Sequence, residues 1–109
     1  MSEDTQSATP PPRFVQFSQD FPEFMAAYHA LGSAAHESGP LDVKTRVLIK
    51  LAIAAGARLE GAVHSHARRA LREGCTPEEI RHTVLLSATT IGFPPMMAAM
   101  SWVDDEMPS

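Results

Sequence analysis

Apolar residues return every three or four positions along this chain and hardly ever alternate, so the pattern predicts helices throughout and no strands. The clearest case is Leu59, Ala62, Val63, His66, Ala67, Ala70 and Leu71, which follow the i, i+3, i+4, i+7 template and form one apolar stripe around a single imidazole. His64 falls about 200° round the same helix, on the side of Glu60, Arg68 and Arg72, and is expected to face outward. Gly74 suits the left-handed position that ends such a helix.

The remaining elements follow from the same periods and from their caps. Arg13 to Phe17 is expected to pack its aromatics onto the domain, ahead of a helix starting near Ser18 or Asp20 with Pro22 in its first turn. Phe21, Phe24, Met25, Tyr28, Leu31 and Ala35 are that helix's expected buried stripe, and Gly39-Pro40 ends it. Asp42 caps a second helix, Val43 to about Ala57. Downstream of the His66 helix, Thr76-Pro77-Glu78-Glu79 is a capping box, with Cys75 and Ile80 placed as a hydrophobic staple, and its helix is expected to run to about Ile91. Gly92-Phe93-Pro94-Pro95 then breaks the chain before a last helix, Met96 to about Asp105, with Met96, Met100 and Val103 inward. The predicted class is all-α, a compact domain of about five helices.

Two of these helices lack a polar face, over Val47 to Ala55 and over Val84 to Ile91. That is more apolar surface than a chain of 109 residues covers by itself, so the pattern predicts a homo-oligomer in which those faces meet further copies. Length fits one domain, residues 13–109, after a disordered tail, residues 1–12.

Composition narrows the partners. A net charge of −4, with no clustering of Lys and Arg among aromatics, argues against nucleic acid. Arg68, Arg69 and Arg72 read as a solvated helix face. No apolar run approaches the roughly 20 residues of a spanning helix, so no membrane partner is expected. Met1 to Pro12 has neither the basic nor the apolar region of a secretory signal. Cys75, the only cysteine, fits a reducing compartment, and a cytoplasmic location is expected.

The candidate chemistry centres on three residues, His66, Glu60 and His64. A histidine on an apolar stripe is more often a core residue bonded to a neighbouring helix than a catalyst. If it acts, apolar surroundings favour the neutral ring, suited to moving a proton. Glu60 and His64 are an i, i+4 pair with Arg68 one turn on; the plain interpretation is a surface charge ladder, the sharper one a site completed across a subunit boundary. His64 and His66 point to opposite sides and cannot share an ion, so no metal is expected. Met96, Met97 and Met100 with Trp102 could line a pocket, but methionines at helical spacing are usually core filler. Cys75 reads as a small packed hydrophobe.

Leu41-Asp42-Val43-Lys44-Thr45-Arg46 ahead of the apolar helix, the His66-to-Gly74 helix end, Thr76-Pro77-Glu78-Glu79-Ile80 and Gly92-Phe93-Pro94 together resemble the carboxymuconolactone decarboxylase and AhpD-like alkylhydroperoxidase superfamily. The resemblance implies an all-helical fold, a homotrimer or homohexamer, and a functional position at His66. It also implies that the redox branch's Cys-x-x-C pair falls on Leu59 and Ala62, and its upstream Glu on Val47. Neither Leu nor Ala can be a peroxidatic or resolving thiol, so hydroperoxidase activity is not expected. What remains is a cofactor-free acid/base enzyme, of decarboxylase or lactone type, acting on a small carbonyl or carboxylate compound. His66 would carry the proton, with help from Glu60 or His64. The alternative is a non-catalytic oligomeric protein that binds a small molecule or serves as a scaffold.

Overall fold

The computed structural model describes residues 10–109; of the expected tail, residues 1–12, the first nine lie outside them and Pro12 already begins a helix. Seven helices and no strand occur among the described residues, so the class is all-α. They are α1 (Pro12–Asp20), α2 (Pro22–Glu37), α3 (Val43–Gly56), α4 (Glu60–Arg72), α5 (Pro77–Leu85), α6 (Ala88–Ile91) and α7 (Phe93–Asp104). They fall into two compact units, one ending at Leu41 and the other Asp42–Ser109.

In the first unit the segment before Pro22 is itself a helix, which the sequence did not suggest. Pro22 has no N–H to continue α1 and keeps Phe21 out of the helical region (φ −131°, ψ 64°), so one helix ends and the next begins at that bond. Phe17 bridges the junction, its ring 4.9 Å from that of Phe21 and edge-on to that of Phe24 at 5.7 Å. The expected burial of the α2 stripe is not found: Phe21, Phe24, Tyr28 and Leu31 are exposed, and only Met25 is covered. Two helices alone have too little surface to cover a whole aromatic face.

The second unit holds the core. Asp42 accepts a hydrogen bond from Thr45 N–H at 2.9 Å and starts α3, whose Val47, Leu51, Ala54 and Ala55 point inward. The capping box of α5 is present in full: Glu79 N–H donates to Thr76 Oγ1 at 3.0 Å and Thr76 N–H to Glu79 Oε1 at 2.8 Å. Cys75 and Ile80, the staple pair, are both buried. Val63, Ala67 and Ala70 of α4 and Met96, Ala99 and Val103 of α7 complete the cluster around Leu51.

Two boundaries differ from expectation. The helix from Pro77 stops at Leu85 rather than near Ile91, because Ser87 turns its hydroxyl onto Val84 O at 2.6 Å and shifts the ladder to an i−3 bond, Ser87 N–H to the same carbonyl at 3.0 Å. The last helix begins at Phe93 rather than Met96, since Pro94 and Pro95 occupy its first turn, where no N–H is needed. Both changes leave apolar side chains outside: Leu85, Leu86, Phe93 and Met97 are exposed, as are Ile49 and Ile53 on α3.

The ends of α3 and α4 are built alike. Gly74 N–H donates to Leu71 O at 3.1 Å and Cys75 N–H to Ala70 O at 3.0 Å, a Schellman cap with Gly74 at φ +95°. At the end of α3, Arg58 N–H donates to Ala55 O at 3.1 Å and Leu59 N–H to Ala54 O at 3.0 Å, yet the left-handed residue there is Arg58, at φ +59°. A Cβ in that region is unfavourable by roughly 1–2 kcal/mol, partly offset by the lower chain entropy of a non-glycine residue when unfolded. Arg58→Gly is therefore expected to raise stability by up to about 1 kcal/mol in urea unfolding; a clear loss would mean the Arg58 side chain holds the fold.

Candidate functional site

The helix α4 carries all three candidates, and its register decides where each one goes. With Val63, Ala67 and Ala70 fully buried, His64 and His66 lie on the two flanks of the buried face, and both are partly covered. Leu59 is outside the helix, at its N-cap, and exposed.

His64 does not face outward as expected. Its side chain is only 19% exposed, because the turn after α7 closes over it. There Nδ1–H donates to Glu106 Oε2 at 2.6 Å, a charge-assisted bond at the short end of the range. The same oxygen lies 3.3 Å from Arg68 Nη1, one helical turn along α4. With the Glu106 carboxylate accepting, a neutral His64 ring carries its proton on Nδ1, and Nε2 lies 3.5 Å from Glu60 Oε2. The helix wheel had the side right and the surroundings wrong. Glu106 is 42 residues further on, past the expected end of the last helix, and no periodicity in α4 points to it.

His66 is half-buried on the other flank, and its ring has no hydrogen-bond partner among the described residues. Burial pushes its pKa below the ordinary imidazole value, and the charges of Lys50 and Arg69 push it the same way. The neutral ring is therefore the form held in the folded chain. With a folded pKa below the unfolded value, the unfolded chain binds more protons in mild acid. The His66 contribution to stability is present above about pH 6.5 and is lost as pH falls through the depressed folded value. His66→Gln is accordingly expected to flatten the loss of stability between neutral pH and mild acid, as followed by urea midpoints across that window.

Asp42, Glu79 and Cys75 have structural places. Thr45 and Thr76 hold the carboxyls of Asp42 and Glu79 below their usual range as helix caps, and Lys44 Nζ lies 3.4 Å from Glu79 Oε1. Burial pushes the Cys75 thiol up, and its Sγ approaches only Lys44 O at 3.9 Å, so it is the packed hydrophobe expected. Val47, in the place of the redox branch's Glu, is buried core. His29 and His82 are exposed. No three His, Cys, Asp or Glu side chains among the described residues are grouped to hold a metal ion, and none of the described helices is long and apolar enough to cross a membrane.

Near the N-terminus of α4 lies a cleft lined by Arg58, Pro94, Pro95, Ala98 and Trp102. The sequence pattern groups Trp102 only with Met96, Met97 and Met100. Met96 of that group is buried core, Met97 is exposed, and Trp102 rests against the core while lining this cleft.

Comparison with known proteins places this architecture. A carboxymuconolactone decarboxylase family protein from Legionella pneumophila has the same fold, with a TM-score of 0.78 at 24% identity over 97% of this chain and 96% of that one. A protein from Thermotoga maritima superposes with a TM-score of 0.63 at 24% identity, covering 87% of this chain and 93% of that one. An uncharacterized protein of Haemophilus influenzae is 44% identical over 57 residues, which are 52% of this chain and 50% of that protein, so the chain spans about half the length of this curated relative. The carboxymuconolactone decarboxylase family profile matches residues 22–105, a span that takes in α2 through α7 and with them the His64, His66 and Arg68 helix. By that match the chain belongs to the carboxymuconolactone decarboxylase family.

Proposed function

We propose that this chain is a cofactor-free acid/base enzyme that moves a proton on a small carbonyl or carboxylate compound, in decarboxylation or lactone-type chemistry. The observation that carries the reading is the 2.6 Å bond from His64 Nδ1–H to Glu106, with Arg68 on the same oxygen. A general base needs an orienting partner that fixes its tautomer and stabilises the charge it gains, and Glu106 supplies both. His64 Nε2 is the proton acceptor. Glu60, beside it, passes the proton to solvent or returns it to the product. His66 has no such partner among the described residues and takes the second role, a neutral ring able to join the site if another copy brings a polar group to it.

Assembly belongs to this reading. Ile49, Ile53, Leu85, Leu86, Phe93 and Met97 leave an apolar surface outside the core, which supports a homotrimer or homohexamer. Thiol peroxidase chemistry has no support, since the only thiol is buried, deactivated and without a resolving partner. That single free cysteine also fits a cytoplasmic setting.

The reading is tested by proton exchange. Wild type and His64→Gln are incubated in D2O with pyruvate, levulinate and γ-butyrolactone, and loss of the α-proton signal is followed by NMR. Exchange with at least one compound, slowed about 10²–10⁴-fold in His64→Gln, is the expected result. The non-catalytic binding or scaffold protein is the reading that survives if wild type exchanges none of them, and turnover of cumene hydroperoxide with a dithiol would overturn both.

A further inference from the structure

Arg58 is the only non-glycine described residue in the left-handed region, and it is there in a cap that the same chain builds with glycine at Gly74. Strain of this kind persists where the side chain is needed. The fold does not need it, for Arg58 has no ion pair or hydrogen-bonded side chain among the described residues, whereas Arg68, Arg69 and Arg81 each hold a carboxylate. What Arg58 does instead is line one end of the cleft with Pro94, Pro95, Ala98 and Trp102.

The cleft is about 330 Å³, at the small end of ligand sites. Its walls are the rings of two prolines and an indole, flat and apolar, and its only charge is the guanidinium. Such a lining suits a flat ring for its apolar area, and a guanidinium fork suits a carboxylate for its paired oxygens. No carboxylate lines the cleft, and the Arg58 guanidinium repels a cationic ligand. Pro94, Ala98 and Trp102 also stand four residues apart on α7, and the turn after that helix carries Glu106, the partner of His64.

We infer that this cleft binds a small planar aromatic or conjugated monocarboxylate, with its carboxylate on Arg58 and its ring against Trp102. The inference rests on the proposed acid/base site only for the chemistry that follows binding; binding itself is read without turnover, so the two can fail separately.

Trp102 is the chain's only tryptophan, and its fluorescence reports on the cleft directly. Wild type, Arg58→Gly and Arg58→Lys are titrated with sodium benzoate, benzamide and sodium acetate at constant ionic strength, with calorimetry as a second readout. Benzoate is expected to give a saturable change, and benzamide and acetate, each carrying half the ligand's chemistry, to bind at least about tenfold more weakly. Arg58→Gly is expected to lose benzoate by the same factor while melting at or above wild type, which separates a lost contact from a lost fold. Arg58→Lys is expected to fall between the two. Equal affinity for benzamide and benzoate, unchanged benzoate binding in Arg58→Gly, or no saturable response in wild type overturns the inference.

Discussion

Leu51→Ala is expected to remove about 2–5 kcal/mol of folding free energy, a large share of the roughly 5–15 kcal/mol that holds a domain of this size. Leu51 is completely buried at the centre of the second unit, among Val63, Ile80, Val84 and Val103, which are also inaccessible. Truncation removes the transfer free energy of the side chain and leaves a cavity that three helices cannot close without moving their caps. The control is Ile53→Ala on the same helix, where the side chain is 64% exposed. In an isolated chain Ile53→Ala costs less than about 1 kcal/mol; in the proposed oligomer it weakens assembly instead. Urea unfolding with sedimentation at two concentrations separates the cases. A loss below about 1 kcal/mol for Leu51→Ala would mean that the core lies elsewhere.

Glu106→Gln is expected to slow the proposed proton exchange by about 10²-fold or more, with little change in substrate affinity. The amide keeps the size of the carboxylate but removes the charge that steadies the imidazolium formed when Nε2 takes a proton. The amide oxygen, kept in place by Arg68, still accepts from Nδ1–H but as a neutral and weaker acceptor, so the ring stays oriented while its charge goes unsupported. Arg68 loses its ion pair at the same time. If His64 were only a surface ladder residue, Glu106→Gln would leave exchange at the wild-type rate.

Much of the fold is legible from local signals because local chemistry determines it. Thr76 and Glu79 satisfy each other's backbone within one turn, and Asp42 does the same for Thr45, so those helix starts need no knowledge of the rest of the chain. Boundaries set by competition are harder. At Ser87 a hydroxyl and the backbone ladder have comparable claims on Val84 O, and the pattern of apolar residues runs straight through the break. The proline pair at Pro94 and Pro95 reads equally well as an end or a beginning.

The candidate site shows the same division. Periodicity places His64 and His66 on different sides of α4, which is correct, but it says nothing of what covers each side. Glu106 reaches His64 through the packing of α7 on α4, a tertiary event, and its helix was expected to have ended before it. Arg58 is invisible in another way: its role depends on a backbone angle, and a glycine two residues earlier, Gly56, looks like the better cap. The α2 stripe is the opposite case, a strong burial signal that this chain by itself does not satisfy.

The tautomer of His64 tests the central claim most directly. Long-range proton–nitrogen correlation spectra of the imidazole rings, recorded on the assembled protein above the ordinary imidazole titration range, assign the proton to one nitrogen without any substrate. His64 is expected to carry it on Nδ1 with a downfield, hydrogen-bonded proton, and to lose that signature in Glu106→Ala. A proton on Nε2 in wild type, or a spectrum indifferent to Glu106, would contradict it.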